Sequence, residues 1–306
     1  MKPLLFASSR PLHRCENIRA VYQAWDGPKR FIQLDSGMSN PELEDGDVLV
    51  TDEFVKRSPG KCVMIGHGIS GGKRFGLDQK DAYHTKQNAD LITYVITASE
   101  DMIPIVARQS GVPEEKVLAL GMPRTDMYFE HSPVAVAPRD KRMYLYAPTF
   151  RTWYRAVWFT DWMLLNDLLT DDEVIYVKQH MLEGDVQLNL SHIKAMPSGV
   201  PSGPFLMGCD ALITDYSSIL FDAYVLKKPV VLYEKDHEQY MADRGMYMNW
   251  PEDYSKYHCR DEYDLVRMLR EARFEPVECM KSISKCDGHS TERVIELLRS
   301  LTEDER

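Results

Sequence analysis

A chain of 306 residues has room for about two domains of ordinary size. Hydrophobic residues make up 44% of it and charged residues 27%, a globular balance that excludes a disordered or collagen-like chain. Lys and Arg number 37 against 47 Asp and Glu, a net charge of −10, which argues against a dedicated nucleic-acid binder but leaves room for a small anionic ligand held by a few local donors.

In the first stretch, Met1 to Arg10, the apolar core runs only from Leu4 to Ala7. That is too short for the hydrophobic region of a signal peptide and reads as a first buried strand. No run of about 18 apolar residues occurs anywhere, so no membrane-spanning helix is expected. Apolar runs predict strands over 4–8, 30–34, 47–51, 62–66, 91–98 and 117–120, then over 143–147, 173–178, 211–214 and 229–233. Helices are predicted over 15–25, 101–111, 160–169, 217–227, 262–272 and 290–301. The last has Val294, Leu297, Leu298 and Leu301 at helical spacing, with Ser290 as a candidate cap. Short runs rich in Val, Ile, Leu and Tyr, separated by crossover lengths, imply parallel sheets covered on both faces. Residues 131–142, with Pro133 and Pro138 and a charged end, mark a boundary. The expected architecture is α/β, with two doubly wound Rossmann-like domains, 1–133 and 134–306, facing across a cleft. The last helix is a candidate to pack back on the first domain.

The six cysteines include no C-x-x-C pair, so they read as reduced thiols of a cytosolic protein. No HExxH or EF-hand pattern occurs, and Asp45-Gly46-Asp47 precedes a strand and reads as a turn, so neither a metal nor a cofactor is expected. The aromatic stretch Trp153-Tyr154, Trp158-Phe159 and Trp162 reads as a buried helix and its approach, with a membrane-surface contact as the alternative.

Open α/β sheets bind ligands beyond the carboxyl ends of their strands, so chemistry is expected just after each strand. The 211–214 strand runs into Asp215-Tyr216-Ser217-Ser218 and at once into an apolar helix. Hydroxyls and N–H groups there would suit a diphosphate, and Asp222, one turn on, could accept from ribose hydroxyls. Alternatively, Asp215 or Ser217 merely caps the helix. His67, after the 62–66 strand and between Gly66 and Gly68, with Lys73 and Arg74 close by, is placed to act as a general base or to bond the backbone of its own loop. Gly66, Gly68 and Gly71 also match G-x-G-x-x-G with Asp90 downstream, but residues 72–79 do not read as an amphipathic helix. Two more strands end in Thr149 with Arg151 and in Lys178 with His180. Such ends lie along one edge of a doubly wound sheet.

In this order the segments resemble the CDP-glycerol glycerophosphotransferases, the teichoic-acid polymerases and primases. That family shows W-H-G-T-P-x-K, G-x-P-R-x-D, Y-A-P-T-W-R, K-x-H-P, I-T-D-Y-S-S-x-x-F-D and a late D-G-x-x-S-x-R-V. Here stand His67-Gly68 with Lys73, Gly121-Met-Pro123-Arg124-Thr-Asp126, Tyr146-Ala-Pro-Thr-Phe-Arg151 and Lys178-Gln-His180. Then come Ile213-Thr-Asp-Tyr-Ser-Ser-Ile-Leu-Phe-Asp222 and Asp287-Gly-His-Ser-Thr-Glu-Arg293-Val. Gly66 stands in place of the family's Trp, Ile69-Ser70 in place of Thr-Pro, and Met181 in place of the last Pro.

The resemblance implies a GT-B-like fold and transfer of glycerol phosphate, or a related alditol phosphate, from a CDP-alditol to a lipid-linked saccharide, with release of CMP. The reaction would run in the cytoplasm, with peripheral contact at the inner face of the bacterial membrane. It implies catalytic roles for His67 and His180 and substrate contacts from Lys73, Thr149, Arg151, Lys178, Asp215, Ser217, Ser218 and Asp222. A GT-B glycosyltransferase using a nucleotide sugar, or a non-catalytic nucleotide-binding module, would use the same phosphate site. A net charge of −10 opposes nonspecific adsorption to anionic lipid, so membrane contact would need a local basic or aromatic patch.

Overall fold

Residues 2–34, 48–55, 58, 60–66, 68–69, 71–74, 88–130, 140–149, 151, 160–178 and 188–303 are described by the computed structural model of the chain. The chain forms two compact units, Met1–Glu130 with Lys281–Arg306, and His131–Met280.

Unit 1 is built on strands β1 (Leu4–Ser8), β2 (Lys29–Gln33), β3 (Val48–Thr51), β4 (Lys61–Met64), β5 (Tyr94–Thr97) and β6 (Val117–Ala119). They pair in the order β2-β1-β3-β4-β5-β6, every pair parallel. All five residues of β1 and all four of β3 are buried, which is why these strands read as unbroken apolar runs rather than alternating ones. Helices α1 (Glu16–Ala24), α2 (Ile103–Ser110), α3 (Met127–Glu130) and α9 (Ser290–Glu303) complete the unit.

Unit 2 carries β7 (Arg142–Ala147), β8 (Glu173–Val177), β9 (Ile193–Ala195), β10 (Ala211–Thr214), β11 (Val230–Tyr233) and β12 (Tyr257–Cys259). Their order is β12-β11-β10-β7-β8-β9, again parallel throughout. Helices α4 (Trp162–Leu168), α5 (Ser202–Met207), α6 (Ile219–Val225), α7 (His237–Asp243) and α8 (Glu262–Glu271) belong to this unit. After β7 the chain works outward through β8 and β9. It then returns to β10, beside β7, and works outward the other way. That reversal is the topological switch point of a doubly wound sheet.

The ten expected strands are all present, with ends shifted by a few residues at most. β9 and β12 were not expected; each is a three-residue edge strand without an apolar run. The short helices α3, α5 and α7 were also not expected, and α5 begins Ser-Gly-Pro, a poor helix-forming sequence. All six cysteines are free and buried, and burial pushes the Cys62 and Cys209 thiols up to about 12. Among the described residues no helix is long and apolar enough to cross a membrane.

Unit 2 ends at Met280, so residues expected in the second domain belong to unit 1 from Lys281 onward. The segments 121–126 and 287–294 do the fastening. The Asp126 carboxylate accepts the N–H groups of Ser290 (3.1 Å) and Thr291 (2.6 Å), taking up orphan donors at the start of α9. Ser290 is therefore the first residue of the helix rather than its cap, and its hydroxyl donates to the Lys285 carbonyl. Arg293 Nε donates to the Leu120 carbonyl at 2.8 Å, and Nη2 donates to Asp287. Gly121 has φ +87°, and a Cβ there would lie 2.2 Å from the Lys285 carbonyl oxygen, so only glycine fits. Asp126→Ala, which removes the acceptor at the head of α9, is expected to cost about 1–2 kcal/mol of unfolding free energy in a urea titration.

Candidate active site

The carboxyl ends of β7 and β10 flank the switch point of unit 2, and the segments leaving β7, β10 and β11 meet there. Asp215, one residue past β10, accepts the Thr149 N–H (2.7 Å, Oδ1) and Arg151 Nη2 (2.8 Å, Oδ2). Asp236, three residues past β11, takes Arg151 in a two-pronged grip, Nε to Oδ2 at 2.6 Å and Nη2 to Oδ1 at 2.9 Å. Arg151 Nη1 donates to the Thr149 carbonyl at 2.6 Å. Bidentate guanidinium–carboxylate pairs are the strong, geometrically specific class of hydrogen bond. The ring of Tyr216 stacks on that of Tyr240, 3.6 Å between centroids and 7° between planes. The guanidinium carbon lies 4.7 Å from the Tyr240 centroid and 5.1 Å from that of Tyr216.

Burial works against the charge on Arg151, but Asp215 and Asp236 outweigh it and lift the pKa above its ordinary range. Burial, with nearby carboxylates, pushes the Tyr216 phenol far up, so it stays neutral; its hydroxyl is buried with no hydrogen-bond partner among the described residues.

The expected site residues differ in burial and in bonding partners. Arg151 is only 4% exposed, and four of its five N–H donors go to Asp215, Asp236 and the Thr149 carbonyl, so it braces the strand ends. Asp215 is buried and serves the same brace, and it does not cap α6. Asp222, in α6, is 0% exposed. Ser217 and Ser218 are half-buried, and no side chain caps α6. Leu220 and Phe221 N–H bond instead to the carbonyls of Ser217 (3.3 Å) and Ser218 (3.1 Å), tightening the first turn. Among the described residues neither serine hydroxyl has a hydrogen-bond partner. The Thr149 hydroxyl is buried with no partner of its own among those residues.

Lys178 stands half-buried just past β8, its N–H bonded to the Tyr146 carbonyl of β7 at 2.8 Å. Lys73 is half-buried in unit 1. His67 and His180 lie outside the described residues, as do Asp45, Asp47 and the aromatic stretch at 153–159. Gly66 has φ +75°, but residues 71–74 are not helical, so no dinucleotide-type helix opens directly on Gly71. Asp236 and Tyr240 were missed in the sequence. Asp236 nonetheless sits just after a buried strand, the same kind of place that singled out Thr149, Lys178 and Asp215. Among the described residues no group of three or more His, Cys, Asp or Glu could hold a metal ion.

The family model for CDP-Glycerol:Poly(glycerophosphate) glycerophosphotransferase matches residues 33–299. The chain belongs to this family. It is accordingly an enzyme, a transferase of the glycerophosphotransferase type. It is 27% identical over 284 residues to a teichoic acid glycerol-phosphate primase of Bacillus subtilis (strain 168), covering 87% of this chain and 70% of that one. It is 26% identical to a teichoic acid poly(ribitol-phosphate) polymerase of Bacillus spizizenii, covering 81% of this chain and 45% of the relative. The wall teichoic acid polymerase TagF superposes with a TM-score of 0.77 at 19% identity, covering 99% of this chain and 90% of that one, a likeness of fold.

Removing Arg151 would leave two buried carboxylates without their cation. Arg151→Met is therefore expected to destabilise the protein by about 3–5 kcal/mol, read in a urea titration. Exposed pairs such as Arg299 with Asp26 should cost less than about 1 kcal/mol in the same assay.

Proposed function

We propose that this glycerophosphotransferase grips the diphosphate of a CDP-alditol, CDP-glycerol in the first instance, at the switch point of unit 2. It passes the alditol phosphate to a hydroxyl of a lipid-linked saccharide at the inner face of the bacterial membrane. The observation that carries this reading is the pair Ser217 and Ser218: two part-exposed hydroxyls without protein partners among the described residues, at the strand end where a doubly wound sheet takes its ligand. Beneath them Asp215, Arg151 and Asp236 hold the turn rigid.

The acceptor oxygen attacks the phosphorus that bears the alditol. A new P–O bond forms to the acceptor, the bond from that phosphorus to the bridging oxygen breaks, and CMP departs with the electron pair. His67 takes the acceptor's proton. The hydroxyls of Ser217, Ser218 and Thr149, with Lys178 and His180, stabilise charge developing on the phosphoryl oxygens and on CMP. Lys73 is assigned to substrate binding. Arg151 acts through the turn it braces, not on the substrate.

Offered CDP-glycerol, CDP-ribitol and UDP-sugars in turn, with a lipid-linked saccharide acceptor, the protein should release CMP from a CDP-alditol and no UDP. UDP release alone would mark a glycosyltransferase, and tight binding without turnover a nucleotide-binding module. His67→Ala should lower turnover on the order of 10²–10⁴-fold. Ser218→Ala should raise KM for CDP-glycerol roughly 10–100-fold, the loss of one hydrogen bond to a charged group. Unchanged KM in that variant would move the phosphate elsewhere.

A further inference from the structure

The same edge of unit 2 holds a third buried carboxylate, bonded differently from the two that grip Arg151. Glu234 follows β11 directly and is 1% exposed. Its Oε2 takes two partners, the Trp250 indole Nε1–H and the His237 ring, whose Nδ1 lies 3.0 Å away. Its Oε1 is buried with no hydrogen-bond partner among the described residues. A carboxylate kept only to brace the fold would fill both oxygens, because a buried charge is costly unless its lone pairs are taken. Asp215 and Asp236 do fill both. Glu234 fills one, and with that one it fixes a histidine.

A carboxylate accepts, so Nδ1 carries the proton of this pair, and in the neutral ring Nε2 is left as an acceptor. The His237 side chain is 21% exposed, and Nε2 has no partner among the described residues. His237 opens α7, and Tyr240 lies one turn on, along the same face of the helix. Tyr240 stacks on Tyr216, the residue before Ser217, and Trp250 tilts against Tyr216 with 5.1 Å between centroids. The Tyr216 ring is thus gripped by the helix that carries His237 and by the indole that shares Glu234 with it. The imidazole belongs to the same sheet edge as Ser217 and Ser218, on the β11 side of them.

A CDP-alditol has two ends joined by its diphosphate. With the diphosphate at Ser217 and Ser218, just past β10, one end extends toward β7 and the other toward β11. The crevice between β7 and β10 is the switch point, where a doubly wound sheet takes a nucleotide, and the β11 side is left for the alditol. An acceptor nitrogen there is matched to a hydroxyl, and an alditol carries several. We propose that His237 contacts the transferred group, accepting a hydrogen bond from an alditol hydroxyl at Nε2, with Glu234 as the positioning residue that holds the ring; this rests on the reading of Ser217 and Ser218 as the diphosphate site.

The test uses the full chain and calorimetric titration with CDP-glycerol and, separately, with CDP, which lacks the alditol. His237→Asn keeps a donor where Nδ1 stands, so Glu234 stays paired, and it removes Nε2. It should weaken CDP-glycerol binding about 3–10-fold, the worth of one hydrogen bond, and leave CDP binding as in the wild type. Glu234→Gln, which no longer dictates the tautomer of the ring, should weaken CDP-glycerol alone in the same way. Combined with His237→Asn it should cost nothing further, since both changes disable one contact; an additive loss would strike Glu234 from the proposal. Equal weakening of both ligands in His237→Asn would put the contact on the nucleotide and overturn the assignment to the alditol. Ser218→Ala should weaken CDP-glycerol and CDP alike. If it weakens neither, the diphosphate reading falls and the His237 proposal falls with it. If it weakens both while His237→Asn binds CDP-glycerol as the wild type does, the His237 proposal falls alone. Should circular dichroism show that His237→Asn does not fold, His237→Phe, which keeps a ring and loses both nitrogens, is read in the same way.

Discussion

A single guanidinium, taken out of water and shared between two carboxylates, sets the geometry of unit 2. Arg151 follows β7, Asp215 follows β10 and Asp236 follows β11, so one cluster of bonds locks three strand ends together. Desolvating three charges offsets most of what their attraction returns, so the net stabilisation is small while the loss of one member is costly. The cluster yields position more than stability. It holds the turn at Ser217 and Ser218 against the end of β7, and the stacked rings of Tyr216 and Tyr240 lie against the guanidinium.

Much of the fold was legible because its strands are buried on both faces. Leu4 to Ser8 and Ala211 to Thr214 have no exposed residue, so each reads as a plain apolar run between polar stretches. β9 and β12 escaped notice because an edge strand of three residues needs no such run. The helices that were read, such as α8 and α9, carry long amphipathic patterns, whereas α5 and α7 are too short to show one.

The site was half legible for a related reason. Spacing along the chain says that a residue comes after a strand; it does not say which way the side chain turns or what meets it from a third strand. Thr149, Asp215, Ser217 and Ser218 stand where strand ends mark them in the chain. Arg151 is marked by its strand end, but the carboxylate that captures it, Asp236, comes from 85 residues further along and is not. Asp222 sits one turn past Ser218 as its spacing says, in a helix buried all round at that turn.

The fastening of α9 to Asp126 and Leu120 makes the second unit an insertion within the first. Chains emerge from the ribosome amino end first, and domains fold as units as they appear. Here the inserted unit is complete once Met280 is out, while the earlier unit still lacks the helix that Asp126 caps. The half made first is finished last, and until then the unfilled face awaiting α9 is the part of the nascent chain with the greatest need of protection from aggregation.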